Sequence, residues 1–244
     1  MTARAVHEIM RRVDADVWIL SATGSMISPG VDYELLLPRG QSRRAELWRV
    51  CVWSRLPIIA DHLTATPEIS ACATIRLPDR TPVVVYAVAP YRVGELDRDE
   101  RSFSFDDLLA HASILGADWC RIRELHPELE LCVGGDFDCY LAPDEGDEML
   151  ATQGEYYGGQ ALSGRGIELG RAYADALRRA SLTCRTVGVL DPAWRDAPIE
   201  SDRDHVCLGP SLNRRVLDAF TVPSFTDDAD TELRHAVVVE LRLR

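Results

Sequence analysis

The stretch Leu131-Cys132-Val133-Gly134-Gly135-Asp136-Phe137-Asp138-Cys139-Tyr140 decides how this chain should be read. A short apolar run ends in two glycines, and two carboxylates then follow two positions apart. An apolar run of this length bounded by turn residues reads as a buried strand. Alternate residues at the end of a strand share a face, which would bring Asp136 and Asp138 together. The glycines allow a sharp turn, and side chains on that face could orient an attacking water or hold a cation. A plainer reading is also open, since an aspartate after glycine commonly caps a turn.

Working outward, residues 2–13 carry Val6, Ile9, Met10 and Val13 at helical spacing and lead into the apolar run 16–21. Further strands are expected at Arg49–Ser54, Ala71–Leu77, Val83–Ala89, Leu131–Gly135, Thr183–Val187, His205–Leu208 and Ala236–Leu243, all rich in Val, Ile, Leu or Cys. Phe105, Leu108, Leu109, Ala112, Leu115, Trp119 and Ile122 follow a 3.6-residue period, as do Leu169, Tyr173, Ala176, Leu177 and Ala180, so two long amphipathic helices are expected. Strands arrive both in succession and singly after helices, which predicts mixed sheets packed together with helices outside: an α/β sandwich of two sheets. Polar segments at 24–44, 90–102, 140–166 and 191–203 read as loops, and the loops at one edge of such a fold carry the site.

The 244 residues fit one domain, 1–244, with a full core. Hydrophobic residues make up 46% and charged residues 27%, and no apolar run reaches the ~18 residues that span a bilayer, so no membrane partner is expected. The opening MTARAVHEIMRR has no apolar stretch ending in a small-residue cleavage site, so a cytoplasmic protein is expected. Seven cysteines without a C-x-x-C spacing argue against a disulfide framework and a thiolate zinc site; Cys132 and Cys139 read as inert packing. The net charge of −12 opposes tight, nonspecific nucleic-acid binding, while leaving room for carboxylates gathered around a cation.

Two further segments carry candidate chemistry. Asp202-Arg203-Asp204-His205-Val206-Cys207-Leu208 brings carboxylates into a short strand, and Leu233-Arg234-His235-Ala236-Val237-Val238-Val239-Glu240 sets a histidine just before the last one. A carboxylate-oriented histidine can stabilise charge beside a phosphoryl group or act as a general base; taken singly, each histidine also fits a surface or capping role.

In order and spacing, DVWILSAT, ELWRVCVWSRLPI, TPVVVYAVAPY, LCVGGDFD, RDHVCLG and LRHAVVVEL resemble the endonuclease/exonuclease/phosphatase superfamily, over about residues 14–243. The resemblance implies a four-layer α/β/β/α sandwich of two mixed sheets flanked by helices, and metal-dependent hydrolysis of phosphodiesters or phosphomonoesters with Mg²⁺ or Mn²⁺. It implies that Asp136 activates or positions the water, that Asp204 orients the catalytic histidine, and that this histidine is His235, next to the scissile phosphate. Asp138 takes the place of the family's asparagine, and Tyr91 lies near a phosphate-contacting position.

The departures are internal. Ala22 stands where the family's metal-binding glutamate is expected, and a methyl group cannot coordinate Mg²⁺. Arg234 replaces the aspartate before the histidine; a guanidinium repels a cation but binds phosphate. Asp138 is the obvious substitute metal ligand. The family's first strand has no counterpart, through natural shortening or a start codon set too late. Two functions follow: a phosphoesterase with an impaired site, or an inactive relative that binds a phosphate-containing ligand or a protein. Tyr156, Tyr157 and the cluster Arg39, Arg43, Arg44 are minor candidates for ligand contact, with solvated surface as the alternative.

Overall fold

Val6, Ile9 and Met10, one helical turn apart, are buried together with Trp18 and Ile27, and this apolar stripe fixes α1 (Ala3–Arg12). The computed structural model describes residues 3–24, 27–39, 47–90, 104–137, 139, 141, 164–186, 204–223 and 235–242. After α1 come β1 (Val17–Gly24), β2 (Glu34–Leu36), β3 (Leu47–Ser54), β4 (Ile58–His62), β5 (Ser70–Arg76), β6 (Pro82–Val88), α2 (Phe105–Leu125) and β7 (Glu130–Asp136). The chain continues through α3 (Gly164–Arg179), β8 (Thr183–Cys184), β9 (Asp204–Leu208), α4 (Pro210–Asn213), β10 (Val216–Pro223) and β11 (His235–Leu241).

The largest sheet has the order β4-β5-β6-β7-β9-β8. Its single parallel pair is β6 with β7, and its other pairs are antiparallel. A parallel pair needs a long crossover, which α2 supplies. Ser104 begins that helix with a reciprocal cap: its side chain accepts from the Asp107 backbone N–H, and the Asp107 carboxylate accepts from the Ser104 N–H.

Strand β6 is buried from Val83 to Val88 with no alternation, because both its faces are covered. On one face Cys72, Val84, Tyr86 and Val88 meet Leu108, Leu115 and Trp119 of α2 and Leu169 and Tyr173 of α3. On the other face Ala71, Ala73, Val83 and Val85 meet Val50 and Val52 of β3, with Val239 and Leu241 of β11 packed alongside. Helix α1 lies beyond, against Trp18, Leu20 and Trp53 of β1 and β3. No helix among the described residues is long and apolar enough to cross a membrane.

Four features depart from the expected pattern. Among the described residues the strands form three sheets rather than two, since β1-β3-β2 and β10-β11 are not hydrogen-bonded to each other, and only the six-stranded sheet is mixed. Strand β2 lies within 24–44, read as loop, and β4 and β10 went unassigned. The helix α3 starts inside the 140–166 segment. Strand β8 is only two residues long: Thr186 leaves the ladder to hydrogen-bond the Val206 N–H through its hydroxyl.

Candidate active site

The ends of the sheets can be told apart by their ties. At the β5–β6 turn, Arg215 donates to Asp79 Oδ2 at 2.7 Å, and the Arg242 N–H donates to the Arg215 carbonyl at 2.7 Å. The start of β10 and the end of β11 therefore sit at this turn. Arg76 N–H, at the end of β5, donates to the Pro57 carbonyl, and Arg55 N–H to that of Asp16, which puts the end of β3 and the start of β1 at the same end. The opposite end consequently gathers the last residues of β6 and β7, the first of β9, the last of β1, and the Pro223–His235 pair that closes β10 against β11.

At that opposite end Asp136, last in β7, is the direct cross-strand partner of Asp204, first in β9. The Gly209 N–H donates to the Leu131 carbonyl at 2.8 Å, and counting along the antiparallel ladder from this bond makes Asp136 and Asp204 a non-hydrogen-bonded pair. Such pairs have Cα atoms about 4.5 Å apart and side chains that project together. The side is set by Cys132 and Val206, which share the parity of the two aspartates and pack between the sheets. Both half-buried carboxylates thus leave the sheet on the face that β1, β3 and β11 cover. Like charges directly opposite one another are unfavourable in a sheet, so the pair favours a positively charged neighbour at this place.

Gly135 makes the approach possible. Its φ is +132°, and a Cβ there would fall 2.0 Å from the Val88 carbonyl oxygen, so β6 and β7 can end side by side only with glycine at this position. Its neighbour's Cβ would fall 2.7 Å from Ile19 Cδ1, which brings β1 down onto β7.

His205 faces the other way, buried among the helix-side groups. Its Nε2 lies 3.2 Å from the Cys139 carbonyl, and its ring meets Phe137 edge to face at 5.6 Å. A carbonyl only accepts, so Nε2 carries the hydrogen. His205 is thereby a positioning residue for the turn that follows Asp136. The sequence pointed to the neighbouring Asp204 and not to this role, whose only signal is a histidine at a strand position of buried parity.

Of the other predicted residues, Ala22 and His235 have their backbones at the same end of the sheets as Asp136 and Asp204. Asp138, Arg234, Tyr91, Arg43, Arg44, Tyr156 and Tyr157 lie outside the described residues. Arg39 is in an ion pair with Asp61 of β4 at 3.4 Å. Burial pushes the Cys132 thiol up to about 12, in keeping with a packing role. Among the described residues no three His, Cys, Asp or Glu side chains converge as a metal site would require. Asp136 and Asp204 supply hard oxygens, but two carboxylates fall short of the octahedral set that Mg²⁺ demands, and the alanine at position 22 adds none. The described residues do not complete a cation site.

A six-stranded mixed sheet with helices on one face, smaller sheets on the other, and a carboxylate pair at one sheet end can be compared with known structures. An AP endonuclease from Archaeoglobus fulgidus superposes with a TM-score of 0.63 at 13% identity, covering 98% of this chain and 96% of that one. The 3′ phosphatase NExo from Neisseria, bound to product DNA hairpin, gives 0.62 at 15% identity, over 98% and 94% of the two chains. An endonuclease/exonuclease/phosphatase from Beutenbergia cavernae gives 0.52 at 15%, over 99% and 66%. The fold is that of the endonuclease/exonuclease/phosphatase superfamily. At these identities the likeness establishes the superfamily fold alone. No family model matches the sequence, and no curated protein matches it either.

Proposed function

We propose that this chain is a phosphoesterase-type protein of the superfamily fold, a four-layer α/β/β/α sandwich that binds a phosphate ester in the cleft between its sheets and hydrolyses it weakly. The observation that carries the reading is the Asp136–Asp204 pair, set side by side on the cleft face at the end where β11 begins with His235. Asp136 positions or deprotonates the attacking water. Asp204 orients His235, which stabilises charge on the phosphoryl oxygens. Arg234 and Tyr91 contact the phosphate, and Asp138 joins Asp136 as an oxygen donor. A bound Mg²⁺ or Mn²⁺ would supply charge neutralisation at the phosphoryl group. Asp136, Asp138 and Asp204 would be the residues to hold such an ion, and the alanine at position 22 would leave their set one ligand short, which is why only weak turnover is expected.

The NExo relative is described as a 3′ phosphatase bound to DNA. For this acidic chain, a small phosphate ester or a single nucleic-acid end is a better substrate class than a long polyanion, because the net charge of −12 repels the latter.

Calorimetric titration of the purified protein with Mg²⁺ and Mn²⁺, then turnover of a chromogenic phosphodiester and phosphomonoester, tests the proposal. Metal-stimulated turnover that His235→Ala and Asp136→Asn both lower about 100-fold or more supports it. Ester binding without turnover, lost in the same variants, favours the inactive phosphate-binding relative to which Ala22 points. Absence of both in a folded sample overturns the assignment of this cleft.

A further inference from the structure

On the face of the large sheet away from the Asp136–Asp204 cleft, the short edge strand β8 sets Cys184 directly opposite Cys207 of β9. The Arg185 N–H donates to the Val206 carbonyl at 2.9 Å, which makes Arg185 and Val206 the hydrogen-bonded pair and leaves Cys184 and Cys207 as a non-hydrogen-bonded one. In such a pair the Cα atoms are about 4.5 Å apart, within the span that a disulfide bridges. All seven cysteines are free thiols; Cys184 is half-buried on the edge strand and Cys207 is fully buried beside it.

A proton route leads away from Cys184. Its Sγ lies 3.6 Å from Thr186 Oγ1, which lies 3.4 Å from His205 Nδ1. His205 Nε2 carries its hydrogen toward the Cys139 carbonyl at 3.2 Å, so Nδ1 of the neutral ring is an acceptor. Thr186 Oγ1 already accepts the Val206 N–H at 3.0 Å. A hydroxyl has one donor and two acceptor sites, and the arrangement that fills all three has Thr186 donating to His205 and accepting from the Cys184 thiol. The hydrogen bond from Cys207, followed by those around His205, holds the Cys184 thiol well below the usual range, whereas burial raises that of Cys207.

We propose that Cys184 is a nucleophilic thiol, relayed through Thr186 to His205, and that with Cys207 it forms an oxidisable pair closing a cross-strand disulfide on exposure to hydrogen peroxide. The Cys184 proton moves through the Thr186 hydroxyl to His205 Nδ1. The thiolate attacks one peroxide oxygen, the O–O bond breaks, and the departing hydroxide takes the proton from His205 as water, leaving Cys184 as the sulfenic acid. The Cys207 sulfur then attacks the Cys184 sulfur, the S–O bond breaks, and hydroxide leaves with the Cys207 proton as a second water. One peroxide is reduced to two waters while two thiols are oxidised to one disulfide.

The test uses the full chain, reduced and then desalted. Limiting iodoacetamide at neutral pH, followed by peptide mass mapping, should modify Cys184 about tenfold faster than Cys120, a half-buried cysteine on α2 that serves as internal reference. Thr186→Val should lower the Cys184 rate about threefold or more by cutting the relay, and Cys207→Ser, whose hydroxyl keeps a hydrogen-bond donor beside the sulfur, should leave it above that of Cys120. With peroxide, the wild type should give a 184–207 linked peptide reversible by dithiothreitol, and Cys207→Ser should stop at a sulfenic acid that dimedone traps. Equal alkylation of Cys184 and Cys120 overturns the nucleophile, and peroxide oxidation without the 184–207 peptide overturns the pair.

Discussion

Two adjacent glycines occupy positions with different demands. At Gly135 a methyl group would meet backbone 2.0 Å away in a conformation that side chains rarely adopt; at Gly134 it would meet the flexible end of Ile19 at 2.7 Å. Gly135→Ala should therefore cost about 3 kcal/mol or more, and Gly134→Ala about 1 kcal/mol, with the order read from urea midpoints. The neighbouring aspartate answers to a different balance. Because Asp136 faces Asp204 across the ladder at the strand end, Asp136→Asn, which keeps the side chain's shape, should change folding stability by no more than about 1 kcal/mol while lowering activity or ester binding. A thermal melt and an activity assay on the same sample check both halves. The strand-end place of Asp136 was legible at this scale because Gly-Gly-Asp is a local signal. The Cys184–Thr186–His205 relay was not, since its members are brought together by a strand register that no spacing between residues 184 and 205 encodes.

Elements are joined by a buried carboxylate that no motif announced. Asp118, on α2, is 2% exposed; it accepts from Tyr86 Oη of β6 at 2.7 Å and from the Ala65 N–H at 2.9 Å, and it pairs with Arg121. Asp118→Ala would take the main acceptor from the buried Tyr86 hydroxyl and the acceptor from the Ala65 N–H, and should cost about 2 kcal/mol in urea denaturation, with Tyr86→Phe costing less because it removes only one partner of the set. The helices were legible from their 3.6-residue stripes, and β5, β6 and β7 from continuous apolar runs. Strands β2 and β4 were not: β2 has three residues, and β4 is mostly exposed, with Ile58 its apolar contact to the core, so Ile58-Ile59-Ala60-Asp61-His62 shows no alternation. Strand β10 did carry a signal, five apolar residues in eight ending at Pro223, which the basic residues before it obscured. The start of α3 was hidden by Gly164 and Gly166, poor helix formers in a helix held by the packing of Leu169 and Tyr173.

For the molecule as a whole, acid should weaken folding before the carboxylates titrate. Burial, and then the charge of His126 with its ring 5.0 Å away, lower the pKa of His62; burial lowers that of His111. His62 also faces Thr74 at 2.6 Å, Asp61 and Arg121, and His111 faces Glu68 and Asp107. Between the depressed folded values and the ordinary value of about 6.5, the unfolded chain binds more protons than the native one, so stability is full above that value and falls as pH drops. Urea midpoints at pH 5 should lie below those at pH 7.5, and His62→Gln should narrow the gap. The doubly covered centre of the large sheet has one more consequence. Amides of β6, flanked by β5 and β7 and buried on both faces, exchange only through the largest openings, so their hydrogen exchange reports the free energy of the entire fold. A compound that binds only the native state slows that exchange in step with the ratio of its free concentration to its dissociation constant, about tenfold at a tenfold excess. Deuterium uptake at Val83–Val88 can therefore rank phosphate esters as ligands without any of them being turned over.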